Sequence, residues 1–192
     1  MRKAVFFDRD GTINEEVGYI KDLNKLKLIK NASKSIKKIK DNGFLAVLVT
    51  NQSGPARGYY NEEWVKTLNN KLQELLMNEG TCLDKMYYCP HLPDGIIPEY
   101  SIECECRKPN IGLFLKAKKE LNIDLNSSYM IGDKATDVEA GHNAGMKSIL
   151  LKTGYGRDVL DGKYQSIPNP DYIAEDINDA VDWILKVEGI YE

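Results

Sequence analysis

Three features are missing from this 192-residue sequence, and each absence excludes a class of protein. No apolar run approaches the roughly 20 residues that a membrane-spanning helix needs, so we expect no membrane partner. Basic residues are not in excess, and the net charge of -3 argues against nucleic acid as the main partner. No charged and apolar leader precedes the first apolar segment, and we therefore expect a cytoplasmic protein.

Internal repeats and low-complexity segments are absent as well. A length of 192 residues suits one domain. Hydrophobic residues make up 42% of the chain and charged residues 29%, which is the mix of an ordinary globular protein. We expect residues 1–192 to form a single domain and the protein to be a monomer.

Short apolar segments alternate with amphipathic segments along the chain. Nearly continuous apolar runs predict buried strands, and apolar residues at helical spacing predict helices. The predicted strands are 4–7, 44–49, 86–88, 129–131, 147–151 and 172–174, and the predicted helices are 31–41, 61–78, 110–121, 137–144 and 176–187. This alternation predicts an α/β fold with a Rossmann-like parallel sheet and helices on both faces.

The most informative stretch follows the first predicted strand, where two aspartates are separated by one residue. Side chains two residues apart in an extended strand point to the same side, so Asp8 and Asp10 leave the strand end toward one place. Holding two carboxylates together is costly unless a cation lies between them. The pair therefore favours a magnesium site, and an aspartate that merely caps the turn at Gly11 is the alternative.

Other strand ends also carry polar side chains, and ligand sites in parallel sheets lie at the carboxyl ends of strands. The polar strand ends are Asp8 with Asp10, Thr50 with Asn51, and Asp133. A basic pair, Arg107 and Lys108, lies directly before a predicted helix. Carboxylates for a cation, a hydroxyl group and two bases form a set that suits a phosphoryl group.

A second cluster lies in a proline-rich loop over residues 89–109. A loop of this length is unusual inside a compact domain unless something orders it. The loop offers four soft or borderline metal ligands, which are Cys89, His91, Cys104 and Cys106. This set suits tetrahedral Zn²⁺, and because the protein fills all four positions we expect a structural ion. Thiols without a metal are the alternative.

Four segments, taken in order, resemble the motifs of the haloacid-dehalogenase superfamily of phosphatases. They are Asp8-Arg9-Asp10-Gly11-Thr12, Thr50-Asn51-Gln52-Ser53-Gly54, Arg107-Lys108-Pro109 and Gly132-Asp133-Lys134-x-x-Asp137. The match extends over nearly the whole chain. Finer pieces, such as Tyr-Cys-Pro-His and Cys-Arg-Lys-Pro, resemble the subfamily that acts on heptose bisphosphates and histidinol phosphate, and this similarity strengthens the zinc prediction.

The resemblance implies a Mg²⁺-dependent phosphomonoesterase that works through an aspartyl-phosphate. In it Asp8 would be the nucleophile, and Asp10 would be the general acid and then the base. Mg²⁺ would be held by Asp8, by the backbone carbonyl of Asp10 and by Asp133. Thr50 and Lys108 would stabilise the transferring phosphoryl group.

The resemblance also implies residues that bind the substrate, a small phosphorylated sugar. Lys134 would help to bind the phosphate or the ion, Arg107 would reach the rest of the substrate, and Asp137 would orient the site without touching either. The cleft would be lined by two loops, with the residues Glu16, Val17, Gly18, Tyr19, Asn51, Gln52 and Ser53. No segment is long enough for a cap domain, so we expect a capless site whose zinc loop reads the substrate.

The expected reaction is removal of the 7-phosphate of D-glycero-D-manno-heptose 1,7-bisphosphate. Histidinol phosphate or a broad range of small phosphate esters are alternative substrates. A non-catalytic phosphate receiver is an alternative of another class. A receiver has no acid or base placed two residues after its acceptor, so Asp10 disfavours it.

Overall fold

Six short strands form one parallel sheet at the centre of the structure, a computed structural model that describes residues 1–164 and 169–190. The strands are β1 (Ala4–Phe7), β2 (Leu45–Asn51), β3 (Lys85–Cys89), β4 (Tyr129–Gly132), β5 (Lys147–Leu151) and β6 (Tyr172–Ala174). Their order in the sheet is β3-β2-β1-β4-β5-β6, and every neighbouring pair is parallel. The chain thus builds outward from β1 in one direction and then from β4 in the other, so the strand order reverses between β1 and β4.

Helices cover both faces of this sheet. They are α1 (Ala32–Asp41), α2 (Glu62–Asn78), α3 (Gly112–Leu121), α4 (Ala135–Asn143), α5 (Gly156–Leu160) and α6 (Ile177–Val187). Side chains of β1 alternate between the two faces, as the pleat of a strand requires. Val5 and Phe7 pack with α1, α2 and α6, whereas Ala4 and Phe6 pack with α3 and α4. The predicted fold class, a parallel α/β sheet covered on both faces, is confirmed.

Individual elements differ from the prediction at their ends. Strand β2 continues to Asn51, so Thr50 belongs to the strand itself and is fixed by the pairing of β2 with β3. Helix α4 begins at Ala135, two residues before the predicted start, because the Asp137 side chain caps the backbone of Lys134 from inside the first turn. Helix α5 was not predicted, since its five residues are too few to show a helical repeat.

None of the helices within the described residues is long and apolar enough to cross a lipid bilayer.

Candidate active site

The carboxyl ends of β1, β2 and β4 meet where the strand order reverses, which is where parallel sheets place their ligand sites. A cleft of about 510 Å³ opens at this edge. Most of the predicted site residues line it, namely Asp10, Glu16, Gly18, Tyr19, Asn51, Gln52, Ser53, Arg107, Lys108 and Lys134. Asp8, Thr50 and Asp133 are buried at the same strand ends. Val17 is 46% exposed and is not among the described residues that line the cleft.

Asp8 lies between two lysine side chains. Its Oδ1 accepts a hydrogen bond of 3.0 Å from Lys108 Nζ, and its Oδ2 accepts one of 3.4 Å from Lys134 Nζ. Burial alone would raise the pKa of Asp8, which is 3% exposed. The two ammonium groups and a hydrogen bond from Thr50 outweigh burial, so this pKa lies well below its usual range. Asp8 is therefore a carboxylate at neutral pH, the form that a nucleophile needs.

Lys108 is itself buried, and its ammonium group is surrounded by hydrogen-bond acceptors. Its Nζ lies 2.7 Å from Asp137 Oδ1 and donates to the Val49 carbonyl at 2.7 Å. Burial opposes the charge, but Asp137 and Asp8 raise the pKa of Lys108 above its ordinary value. The Asn51 side chain fixes the Lys108 backbone, because it accepts from the Lys108 N–H and donates to the Lys108 carbonyl, each at 3.0 Å. Asn51 therefore lines the cleft and also holds a base in place.

Asp133 completes a group of three buried carboxyls with Asp8 and Asp137, whose ligand oxygens lie within 4.8 Å of one another. Its Oδ2 accepts from the Tyr155 N–H at 2.8 Å, whereas its buried Oδ1 has no hydrogen-bond donor among the described residues. Burial raises the pKa of Asp133 well above its ordinary value, and the charges of Asp8 and Asp137 add to this against the opposing Lys134. An orphaned carboxylate oxygen in such a group fits a hard divalent cation.

Two glycines make room for Asp133. Gly11 and Gly154 have φ angles of +79° and +52°, which side chains rarely adopt. A Cβ atom at Gly11 would lie 2.2 Å from Asp133 Oδ2, and one at Gly154 would lie 2.1 Å from the same atom. The turns after β1 and β5 can therefore close around this carboxylate only with glycine.

The Asp10 carboxyl faces the cleft and is held from behind by three side chains. It accepts hydrogen bonds from Arg9 at 2.9 Å, from Asn14 at 2.9 Å and from Gln52 at 2.8 Å. Gln52 also donates to Thr50 Oγ1 at 3.1 Å. Gln52, which was predicted as a substrate residue, connects the end of β2 to Asp10 in the structure.

The two predicted substrate loops meet across the cleft. The Tyr19 hydroxyl lies 3.2 Å from Ser53 Oγ. Glu16 accepts from the Gly18 N–H at 2.7 Å and lies 3.7 Å from Lys134 Nζ. The negative charge of Glu16 is thus already paired within the protein.

Five residues that line the cleft were not among the predicted site residues, and they are Arg57, Tyr60, Pro109, Thr136 and Tyr155. The turn after Ser53 brings Arg57 back to the cleft, where its guanidinium lies 5.9 Å from the centre of the Tyr19 ring. Arg57 makes no ion pair with a carboxylate in the part of the chain that the structure describes. Its place in the Ser-Gly-x-Ala-Arg-Gly segment was a usable signal, because that segment follows a polar strand end.

The four predicted zinc ligands lie together at the end of β3. Sγ of Cys106 lies 2.9 Å from that of Cys89 and 3.1 Å from that of Cys104, and 3.3 Å from Nδ1 of His91. The hydrogen bond between Cys106 and Cys89 lowers the pKa of Cys106 to about 5. A compact set of three thiols and an imidazole has the composition of a structural zinc site. Arg107 donates to the His91 carbonyl at 3.0 Å, so this loop also positions a cleft residue.

The chain resembles known phosphatases in sequence. A HAD-hydrolase-like family model matches residues 105–180. The D-glycero-D-manno-heptose-1,7-bisphosphate 7-phosphatase of Thermosynechococcus vestitus is 46% identical over 187 residues, which cover 95% of this chain and 95% of that protein. The D-glycero-beta-D-manno-heptose-1,7-bisphosphate 7-phosphatase of Pasteurella multocida is 44% identical over 181 residues, which cover 93% of this chain and 95% of that protein.

A solved structure shows the same similarity in three dimensions. The D,D-heptose 1,7-bisphosphate phosphatase from B. bronchiseptica, complexed with magnesium and phosphate, superposes with a TM-score of 0.85 at 27% identity. The superposition covers 96% of this chain and 99% of that chain.

Replacing Lys108 tests its place between the buried carboxylates. We expect Lys108→Met to lower the free energy of unfolding by about 3 kcal/mol near neutral pH, because it removes the buried cation between Asp8 and Asp137 and leaves Asp8 only its longer contact with Lys134. Without the lysine, the folded-state pKa of each carboxyl rises. A carboxyl with a raised folded-state pKa binds its proton more tightly in the folded protein than in the unfolded chain. Protonation therefore stabilises the fold at a pH below the unfolded-state pKa, and this stabilisation is lost as the pH rises through the folded-state pKa. The deficit should therefore be larger at about pH 8 than at about pH 5.5 in urea unfolding.

The matched control is Lys119→Met on an exposed position of α3. It should change the free energy of unfolding by less than about 0.5 kcal/mol at either pH. A deficit of Lys108→Met that does not depend on pH would contradict the buried ion pairs.

Proposed function

Because the chain belongs to the haloacid-dehalogenase-like phosphatases, we propose that it removes the 7-phosphate of D-glycero-D-manno-heptose 1,7-bisphosphate. The substrate class comes from the relatives of Thermosynechococcus vestitus and Pasteurella multocida, whose names give that activity. One observation in this chain carries the proposal. The cleft is lined by two lysines that contact Asp8 and by two arginines that do not, and a substrate with two phosphates can use both sets.

The first cationic position surrounds Asp8 and suits the phosphate that is transferred. Lys108 and Lys134 contact the Asp8 carboxylate, so a phosphoryl group that reaches Asp8 also reaches both ammonium groups. In the proposed mechanism an Asp8 oxygen attacks phosphorus and forms an aspartyl-phosphate. The Asp10 carboxyl gives its proton to the leaving oxygen of the sugar. Asp10 then takes a proton from the water that hydrolyses the aspartyl-phosphate.

The second cationic position consists of Arg57 and Arg107, and it suits the phosphate that stays on the sugar. Both arginines line the cleft, and neither forms an ion pair within the described residues. Their charges are therefore available to an anion. Histidinol phosphate would instead bring a cation, and Glu16, the acid that lines the cleft beside Lys134, is already paired. The bisphosphate is favoured on this ground.

Mg²⁺ fits the buried carboxyl group of the site. We propose that Asp8, Asp133 and the backbone carbonyl of Asp10 would hold it, while both carboxylate oxygens of Asp137 are taken by Lys108 and by the Lys134 backbone. The Asp133 oxygen without a donor supports this assignment. When bound, the ion would neutralise negative charge on the phosphoryl oxygens.

Zn²⁺ fits the cluster of Cys89, His91, Cys104 and Cys106, and we propose a structural role for it. The loop between β3 and α3 contains one short 3₁₀ helix, Pro98–Tyr100. Because the loop has little secondary structure, the ion would hold it in a fixed conformation. The cytoplasmic location, the monomeric state and the single domain over residues 1–192 stay predictions from the sequence.

The nucleophile is tested with a change of one atom. Asp8→Asn should reduce turnover of heptose 1,7-bisphosphate by about 1,000-fold or more, because an amide cannot form the aspartyl-phosphate. Turnover is measured as phosphate release on each anomer, with near-UV circular dichroism to check the fold. Asp158→Asn on the short helix α5 serves as the control and should keep the activity. Substantial activity in Asp8→Asn would rule out the covalent mechanism. A wild-type protein that prefers histidinol phosphate to the heptose bisphosphate would overturn the proposed substrate assignment.

The two arginines are tested by comparing substrates with one and two phosphates. Arg57→Gln and Arg107→Gln should each raise KM for the bisphosphate by about tenfold, since each removes one charged hydrogen bond. For heptose 7-phosphate, which lacks the phosphate at C1, KM should change little. The exposed Arg157→Gln is the control and should alter neither value. Equal effects on the two substrates would show that the arginines do not bind the second phosphate.

The metal loop is tested by elemental analysis. We expect about one zinc per chain in protein purified without chelator. Cys104→Ser should lose that zinc and lower Tm, because it removes one of four ligands, whereas Cys82→Ser should keep both, since Cys82 lies outside the cluster. A wild-type protein that contains no zinc after growth with zinc would refute the assignment.

A further inference from the structure

Arg9 is the largest of the wholly buried side chains that the structure describes, and the proposed mechanism gives it no part. It is 1% exposed. Its guanidinium reaches Asp10 with Nε 3.2 Å and Nη2 3.1 Å from Oδ1, and with Nη2 2.9 Å from Oδ2. On its other side, Nη1 donates to Asn69 Oδ1 at 3.3 Å. A fully buried charge is thus held between helix α2 and the candidate acid.

The fold itself does not need this arrangement. Taking a charged pair out of water is costly, and apolar residues of similar volume are often as stable or more stable in its place. Among the buried residues that the structure describes on α2, Asn69 alone is polar, and the others are Val65, Leu68, Leu72 and Leu76. Arg9 and Asn69 are thus a buried polar pair beside an otherwise apolar face of α2, and the pair contacts Asp10 through Arg9.

We propose that Arg9, supported by Asn69, is a positioning residue that fixes the Asp10 carboxyl toward the leaving oxygen of the substrate. Asn14 and Gln52 each hold one oxygen of that carboxyl, whereas Arg9 contacts both and so fixes the plane of the group. One edge of Asp10 stays open to the cleft. This proposal rests on the proposed function, in which Asp10 exchanges the proton.

The proton balance of the first step shows where the orientation matters. A bond forms between an Asp8 oxygen and phosphorus while the bond from phosphorus to the sugar oxygen breaks. The sugar oxygen takes the proton of the Asp10 carboxyl and leaves as an alcohol, and Asp10 becomes a carboxylate. An alkyl alcohol is a poor leaving group that needs this proton, whereas 4-nitrophenolate leaves without it. A misplaced Asp10 should therefore slow sugar phosphates selectively.

The test compares kcat/KM for heptose 1,7-bisphosphate and for 4-nitrophenyl phosphate. For both substrates kcat/KM reports the steps through the first cleavage of the ester, so later hydrolysis of the aspartyl-phosphate does not enter. The main variant is Arg9→Met combined with Asn69→Leu, which replaces both buried polar partners and leaves neither unpaired. Arg9→Lys is the second variant, since it keeps the charge but lacks the planar fork.

We expect the double variant to lower kcat/KM about 30-fold or more for the sugar phosphate and about threefold or less for the aryl ester. Arg9→Lys should also lower kcat/KM more for the sugar phosphate than for the aryl ester, but by a smaller factor than the double variant. Leu72→Ala, a change on the same buried face of α2, is the control for general loosening of the core. It should lower Tm and leave the ratio of the two kcat/KM values unchanged.

Equal losses on the two substrates, or no loss on either, would overturn the assignment of Arg9 while the proposed function stands. A wild-type protein without activity on either ester would instead contradict the proposed function, and this assignment with it. If the double variant does not fold, the ratio measured for Arg9→Lys decides: an unchanged ratio rejects the proposal, and a selective loss on the sugar phosphate supports it.

Discussion

The site depends on keeping the Asp8 carboxylate charged in a place that water hardly reaches. A buried carboxylate is stable only with nearby opposite charge and hydrogen bonds, and Lys108 supplies both. Lys108 can do so only because it is buried as well, between Asp8 and Asp137. The reversal of strand order between β1 and β4 provides the crevice in which this pairing occurs. The strand order thus determines where the buried ion pairs of Lys108 can form.

That constraint reaches the loop of the Cys89, His91, Cys104 and Cys106 cluster through two contacts on adjacent residues. Lys108 is joined to β2 by the paired hydrogen bonds of Asn51, and Arg107 is joined to the loop by its bond to the His91 carbonyl. Cys106, one of the proposed metal ligands, is the preceding residue. A loop with little helix or strand therefore delivers a lysine to the inner end of the cleft and an arginine to the outer part. The cysteine and histidine cluster and the charge at Asp8 are thus connected along three consecutive residues, Cys106, Arg107 and Lys108.

Much of this was predictable because the signals are local. Continuous apolar runs identified the strands, and polar residues directly after them identified Asp8, Thr50 and Asp133, since a parallel sheet must bring such ends together. Helix α5 and the position of Arg57 were not predictable in the same way. A five-residue helix has no repeat, and the turn that returns Arg57 to the cleft depends on backbone hydrogen bonds after Ser53. The contact of buried Arg9 with Asn69 joins residues 60 positions apart along the chain, so no local pattern could show it.

The pairing of charges also explains how an open cleft can be selective. Lys108 and Lys134 already face the Asp8 carboxylate, so the net charge that they offer to a phosphoryl group is reduced. That balance suits a group that must be bound, transferred and released. Arg57 and Arg107 have no such partner among the described residues, so an anion placed there meets an uncompensated charge. In the proposed function, discrimination between one and two phosphates would follow from which cations are already neutralised, without a cap domain to enclose the substrate.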